Sequence, residues 1–82
     1  MMFWVYILYS EEFDKYYIGQ TNDMSDRLSR HNSGAVEPTK PYRPWTIKLT
    51  IQKETRSEAM ILERKLKNLN RQRLLQFITK YS

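Results

Sequence analysis

The stretch Phe3-Trp4-Val5-Tyr6-Ile7-Leu8-Tyr9 limits the possible folds more than any other part of the chain. Side chains alternate along a strand, so a strand over 3–9 puts Trp4, Tyr6 and Leu8 on one face and Phe3, Val5, Ile7 and Tyr9 on the other. A strand apolar on both faces is a central one, covered on each side. A second string, Lys15-Tyr16-Tyr17-Ile18-Gly19-Gln20, follows the polar Ser10-Glu11-Glu12-Phe13-Asp14. Consecutive strands usually pair, which predicts a hairpin with a second strand over 15–20. Gly19 near its end suits a positive φ or a close approach by another group.

Behind the hairpin the period changes from two to 3.6. Met24, Leu28 and His31 fall at i, i+4 and i+7 and form an inward stripe. Asn22 or Asp23 is the expected N-cap, and Gly34 suits a left-handed C-cap. Pro38, Pro41 and Pro44 exclude a regular element over 35–45. In that loop Lys40, Tyr42, Arg43 and Trp45 interleave cations with aromatics, as phosphate contact and base stacking require. Trp45 and Tyr42 read alternatively as core aromatics under the loop, and for Trp45 that is the favoured reading. From Trp45 to Gln52, Ile47, Leu49 and Ile51 alternate with Thr46, Lys48 and Thr50, the pattern of a third strand with one wet face. Thr55-Arg56-Ser57-Glu58 is a capping box that opens a second helix. After a break at Asn68-Leu69-Asn70, a third helix is predicted over 71–80, with Leu74, Ile78 and Tyr81 on one side.

These 82 residues suffice for one domain, 1–82, and leave no room for a second core. The chain has no cysteine, which rules out a disulfide framework and a Cys-based zinc site and suits the cytoplasm. No apolar run reaches the ~20 residues of a membrane span. Residues 1–9 lack the basic start and small-residue site of a signal peptide. The net charge is +5, and no acidic residue follows Glu63, whereas Arg64, Lys65, Lys67, Arg71, Arg73 and Lys80 do. Such a face attracts polyanions through charge and counterion release. One histidine cannot build a multi-His zinc site, and no Ser–His–Asp spacing is present.

Taken together, Trp4-Val5-Tyr6, Tyr17-Ile18-Gly19, the run Gly19-Gln20-Thr21-Asn22 leading to Asp26-Arg27-Leu28-Ser29-Arg30-His31-Asn32, and Arg56-Ser57-Glu58-Ala59-Met60 leading to Glu63-Arg64-Lys65-Leu66-Lys67 resemble the GIY-YIG nuclease superfamily. The likeness is to its small stand-alone bacterial members and covers nearly the whole chain. Trp4 stands where the name of the family puts glycine. The resemblance implies an α+β fold: a small three-stranded antiparallel sheet flanked by helices, in the order β-β-α-β-α-α. It also implies roles. Tyr17 matches the tyrosine read as general base or activator of water, and Tyr6 its partner. Arg27 matches the catalytic arginine, His31 lies beside the site, and Glu63 matches the glutamate that binds a divalent metal, Mg²⁺ or Mn²⁺.

The chemistry fits those residue types. Phosphodiester hydrolysis needs a deprotonated water, a held phosphate and stabilised developing charge. A guanidinium grips two phosphate oxygens and never deprotonates. Magnesium prefers oxygen ligands and keeps several waters, so one carboxylate serves when phosphate supplies the rest. A phenol with a pKa of about 10 is a poor base at neutral pH unless a cation lowers it. The reading is thus a metal-dependent DNA endonuclease acting in repair or recombination, with Tyr6, Tyr17, Arg27 and Glu63 lining one concave surface. Arg30, Lys40, Arg43, Lys67, Arg71 and Arg73 are the expected nucleic-acid contacts, and a protein partner is a possible source of substrate specificity. The competing readings are a non-catalytic nucleic-acid-binding module and a protein-interaction module.

Overall fold

The structure, a computed structural model, describes residues 2–82; Met1, the first residue of the predicted domain, lies outside the described residues. Strand β1 (Phe3–Ser10) runs between β2 (Lys15–Thr21) and β3 (Thr46–Lys53), antiparallel to both. Helix α1 (Met24–Ser33) follows the hairpin, and α2 (Arg56–Lys67) and α3 (Arg71–Tyr81) follow β3. The element order is β-β-α-β-α-α, as the sequence predicts, and the two-faced strand is the central one.

The two faces of β1 build two cores. Val5 and Ile7 pack with Ile18, Leu49, Ala59, Leu66 and Leu74 beneath α2 and α3. Tyr6 and Leu8 pack with Trp45, Tyr17, Met24 and Leu28 beneath α1 and the loop. Leu8 has no exposed surface, and truncating such a side chain to alanine costs about 2–5 kcal/mol.

The caps follow local chemistry. Asp23 accepts from the Asp26 N–H at 3.0 Å and starts α1. Gly34 closes that helix at φ 86°, a conformation that side-chain-bearing residues avoid. The Thr55 hydroxyl accepts from the Glu58 N–H and donates to the Glu58 carboxylate, both at 3.1 Å. Asn70 caps α3 through Arg73 N–H.

Two expectations need correction, and one choice is decided. Ile7 pairs with Leu49 and Leu8 with Ile47, so a bulge at Lys48 puts Ile47 out of phase with Leu49 and leaves it 42% exposed. Of the two roles the sequence offers Trp45, the structure shows the favoured one, core packing: it is 3% exposed and its indole N–H donates to the Thr39 carbonyl. On α3, Phe77 joins the core while Tyr81 is exposed and lies against the Phe77 ring.

Candidate active site

The hairpin fixes two tyrosines on the α1 face. Tyr6 pairs with Gly19 and Leu8 with Tyr17. Of the two options the sequence left for Gly19, the structure uses close approach. A Cβ built there would lie 2.6 Å from Tyr6 Cζ and closer still to its hydroxyl. The missing side chain lets the Tyr6 ring lie across β2. The Tyr6 and Tyr17 rings are 6.4 Å apart, and His31 stands edge-on to both, at 5.7 and 5.0 Å.

His31 is fully buried, and each ring nitrogen has a partner. Nε2 lies 2.9 Å from the Tyr6 hydroxyl and Nδ1 2.8 Å from Thr39 Oγ1. The Thr39 hydroxyl donates to the Val36 carbonyl, so it accepts at Nδ1. The network therefore assigns the tautomer: Nδ1–H donates to Thr39, and Nε2 accepts from Tyr6. Burial, with the Arg27 guanidinium nearby, lowers the His31 pKa and keeps the ring neutral. Burial is also the main cause that raises the Tyr6 hydroxyl far above the usual tyrosine range. Tyr17 and Glu63 act in the same direction and Arg27 opposes them. The Tyr6 hydroxyl thus feels Tyr17, Arg27 and Glu63 at once.

The sequence reading places Tyr6, Tyr17, Arg27 and Glu63 on one concave surface, but they do not share one face of the sheet. Arg27 stands on α1 and Glu63 on α2, and those helices cover opposite faces. The edge strand β2 links two of them, Tyr6 and Glu63. Tyr6 crosses it at Gly19, and Glu63 lines a cleft with the next residue, Gln20, together with Met60, Arg64, Lys67 and Asn68. Arg27 is half-buried and takes part in neither ion pair found among the described residues, which are Glu63–Lys67 and Asp14–Arg71.

Glu63 is 19% exposed in its side chain and pairs with Lys67 at 2.8 Å. Among the described residues, no three His, Cys, Asp or Glu side chains gather to hold a metal. The oxygen-bearing side chains that line the cleft with Glu63 are Gln20 and Asn68, hard donors of the kind Mg²⁺ and Mn²⁺ prefer. Gln20 adds a feature that fits: its amide oxygen is buried without a hydrogen-bond partner.

The expected nucleic-acid contacts have different environments. Arg30, Lys40 and Arg73 are exposed. Arg43 folds back, donating from Nε to the Lys40 carbonyl at 2.9 Å and lying over Gly34. Arg71 is tied to Asp14 at 2.5 Å, and Lys67 to Glu63. Asn32 has a structural task, exchanging two hydrogen bonds with the Trp45 backbone. Sequence reasoning missed Thr39 and Gln20. A lone threonine between Pro38 and Lys40 belongs to no pattern. Gln20 falls inside the Gly19-Gln20-Thr21-Asn22 run, but nothing in the sequence marks its oxygen as unpaired.

Residues 2–76 match the GIY-YIG catalytic domain, and the chain belongs to that family. It is 38% identical over 63 residues to a UPF0213 protein of Bacillus velezensis, a match covering 76% of this chain and 64% of the relative. It thus spans less than two thirds of that relative's length. A UPF0213 protein of Halobacterium salinarum is 37% identical over 57 residues, 68% of this chain and 74% of the relative. The solution NMR structure of a UPF0213 protein from Bacillus halodurans has the same fold, with a TM-score of 0.64 and 30% identity over 96% of this chain and 84% of that one. No helix among the described residues is long and apolar enough to cross a membrane.

Proposed function

We propose that this protein is a metal-dependent endonuclease that hydrolyses phosphodiester bonds in DNA. The observation that carries the reading is the Tyr6 hydroxyl, which donates to a neutral His31 while lying in the fields of Arg27 and Glu63. Because burial disfavours the phenolate, Tyr6 works as a neutral hydroxyl whose lone pairs accept from the attacking water. When that water gives its proton to the Tyr6 oxygen, the proton already there moves to His31 Nε2. The imidazolium that results keeps its Nδ1–H on Thr39. Tyr17, beside both rings, orients the same water. Arg27 grips the phosphate and offsets charge as it develops. Glu63 would hold Mg²⁺ or Mn²⁺, which when bound supplies Lewis-acid stabilisation and a more acidic water.

The test is a cleavage screen over plasmid, single-stranded, flap and branched DNA with each metal. Flap and branched forms matter because they are the substrates of a repair or recombination enzyme. Cleavage should stop with chelator. Tyr6→Phe should lose about 10²–10⁴-fold, the usual worth of a positioned proton acceptor. Glu63→Ala should abolish cutting yet bind DNA equally or slightly more tightly without metal, since the carboxylate repels phosphate. Arg27→Ala should weaken binding and cleavage, cleavage more, and lysine there should not fully rescue, because it lacks the planar fork. Wild type that binds but cuts no form with either metal leaves the non-catalytic binding module in place of the enzyme.

A further inference from the structure

Among the buried side-chain oxygens and nitrogens of the described residues, two lack a partner, Ser10 Oγ and Gln20 Oε1. They differ in where they lie. Ser10 ends β1 at the closed end of the hairpin, paired with Lys15. Gln20 lines the cleft that holds Glu63. A buried amide oxygen without a donor is costly and uncommon in a folded protein. It becomes favourable when something electron-poor arrives.

The donors on hand in that cleft do not satisfy it. Arg64, Lys67 and Asn68 also line the wall, yet Lys67 is bonded to Glu63 at 2.8 Å. The register gives the reason for the geometry. Gln20 pairs with Val5, whose side chain belongs to the core beneath α2, so Gln20 points to the side of β2 from which α2 presents Glu63. Gly19, one residue earlier, underlies the Tyr6 ring on the opposite side. Two neighbouring residues of one edge strand thus serve the two halves of the site.

We infer that Gln20 Oε1 is the second protein ligand of a divalent cation held by Glu63. The inference rests on the metal-dependent reading above and adds a residue to it. One carboxylate and one neutral amide oxygen make a hard, singly charged set that suits Mg²⁺ or Mn²⁺, leaving most coordination positions to water and to the phosphate of the substrate. The amide completes the site without a second negative charge, which would repel the incoming polyanion. Its unsatisfied acceptor is a cost that a bound cation would remove.

Mn²⁺ binding, measured by titration calorimetry on the full chain without DNA, tests this. Gln20→Met keeps the length of the side chain and removes the oxygen. It should weaken Mn²⁺ binding by about tenfold, the lower end of what loss of a metal-supporting group does. The melting temperature without metal should hold or rise, because the stranded acceptor is gone. Gln20→Glu should bind Mn²⁺ more tightly than wild type, while the metal-free protein melts lower through repulsion from Glu63. If Gln20→Met binds Mn²⁺ as wild type does while Glu63→Gln has lost it, Gln20 is not a ligand and the Glu63 site stands. If Glu63→Gln binds as wild type does, or wild type itself does not bind, both the ligand assignment and the metal site are wrong.

Discussion

His31 ties the buried network together through two hydrogen bonds, and its titration should expose what they contribute to stability. Its folded pKa is lowered from the ordinary 6.5, chiefly by burial. As pH falls through that ordinary value, the unfolded chain takes up a proton before the folded one does. Stability is therefore full above the unfolded pKa and is lost as pH falls toward the folded one. A proton on Nε2 would also remove the acceptor of the Tyr6 hydroxyl. The melting temperature followed by circular dichroism should be flat from neutrality to about pH 9, below the ordinary tyrosine pKa, and should drop as pH falls toward about 5, where carboxylates begin to titrate. His31→Gln should start lower and vary less over that range. A wild-type curve parallel to that of His31→Gln would contradict a neutral buried ring. Gly19→Ala belongs to the same scale. Its Cβ would enter the space of the Tyr6 ring, with Cζ at 2.6 Å. Overpacking of this kind costs about 1–3 kcal/mol, and the displaced hydroxyl should lower cleavage beyond the loss in folded protein.

At the level of elements, some features were legible in the sequence for plain physical reasons. A strand apolar on both faces has one place in a small sheet, and β1 occupies it. Asp23, Gly34 and Thr55 cap helices because their backbone or side-chain chemistry suits little else at those points. The bulge at Lys48 was not legible, since Ile47-Lys48-Leu49-Thr50-Ile51 alternates perfectly and only the pairing with β1 breaks the phase. The burial of Trp45 depends on Asn32 and Thr39, brought to it by the fold. The pin between α3 and the hairpin was invisible for the same reason. Arg71 donates to the Asp14 carboxylate at 2.5 Å and to its carbonyl at 3.2 Å, across 57 positions of sequence, while the Tyr9 hydroxyl donates to the same carboxylate. The bonds from Tyr9 and Arg71 hold the Asp14 carboxyl below its usual range. The two arginines of α3 should therefore behave differently. Arg73→Glu should weaken DNA binding at low salt more than Arg71→Glu does, because the Arg71 charge is already matched. Arg71→Glu should instead lower thermal stability by placing two carboxylates together. Equal losses of affinity, with no difference in melting, would contradict the pin.

For the whole molecule the balance is electrostatic, and Lys67 sits where two of its demands meet. The net charge of +5, with every charged residue after Glu63 basic, draws a polyanion in, and the affinity for DNA should fall steeply with salt as counterions are released. Glu63 is the carboxylate facing that field within its cleft, and Lys67 neutralises it at 2.8 Å. Lys67 is half exposed and Glu63 mostly buried; an i,i+4 helix pair contributes about 0.3–0.5 kcal/mol, so a divalent cation held by Glu63 would replace the ammonium at little cost. The freed lysine is then available to a phosphate. Lys67→Met should accordingly have opposite effects on the two ligands. Mn²⁺ binding should tighten, since a competing cation and its repulsion are gone. DNA binding in the presence of metal should weaken, with the magnitude of its salt slope reduced by about one. Calorimetry with Mn²⁺ and fluorescence anisotropy with labelled duplex across a salt series measure the two separately. If Lys67→Met leaves both unchanged, the lysine is only a surface partner of Glu63, and phosphate contact in this cleft falls to Arg64.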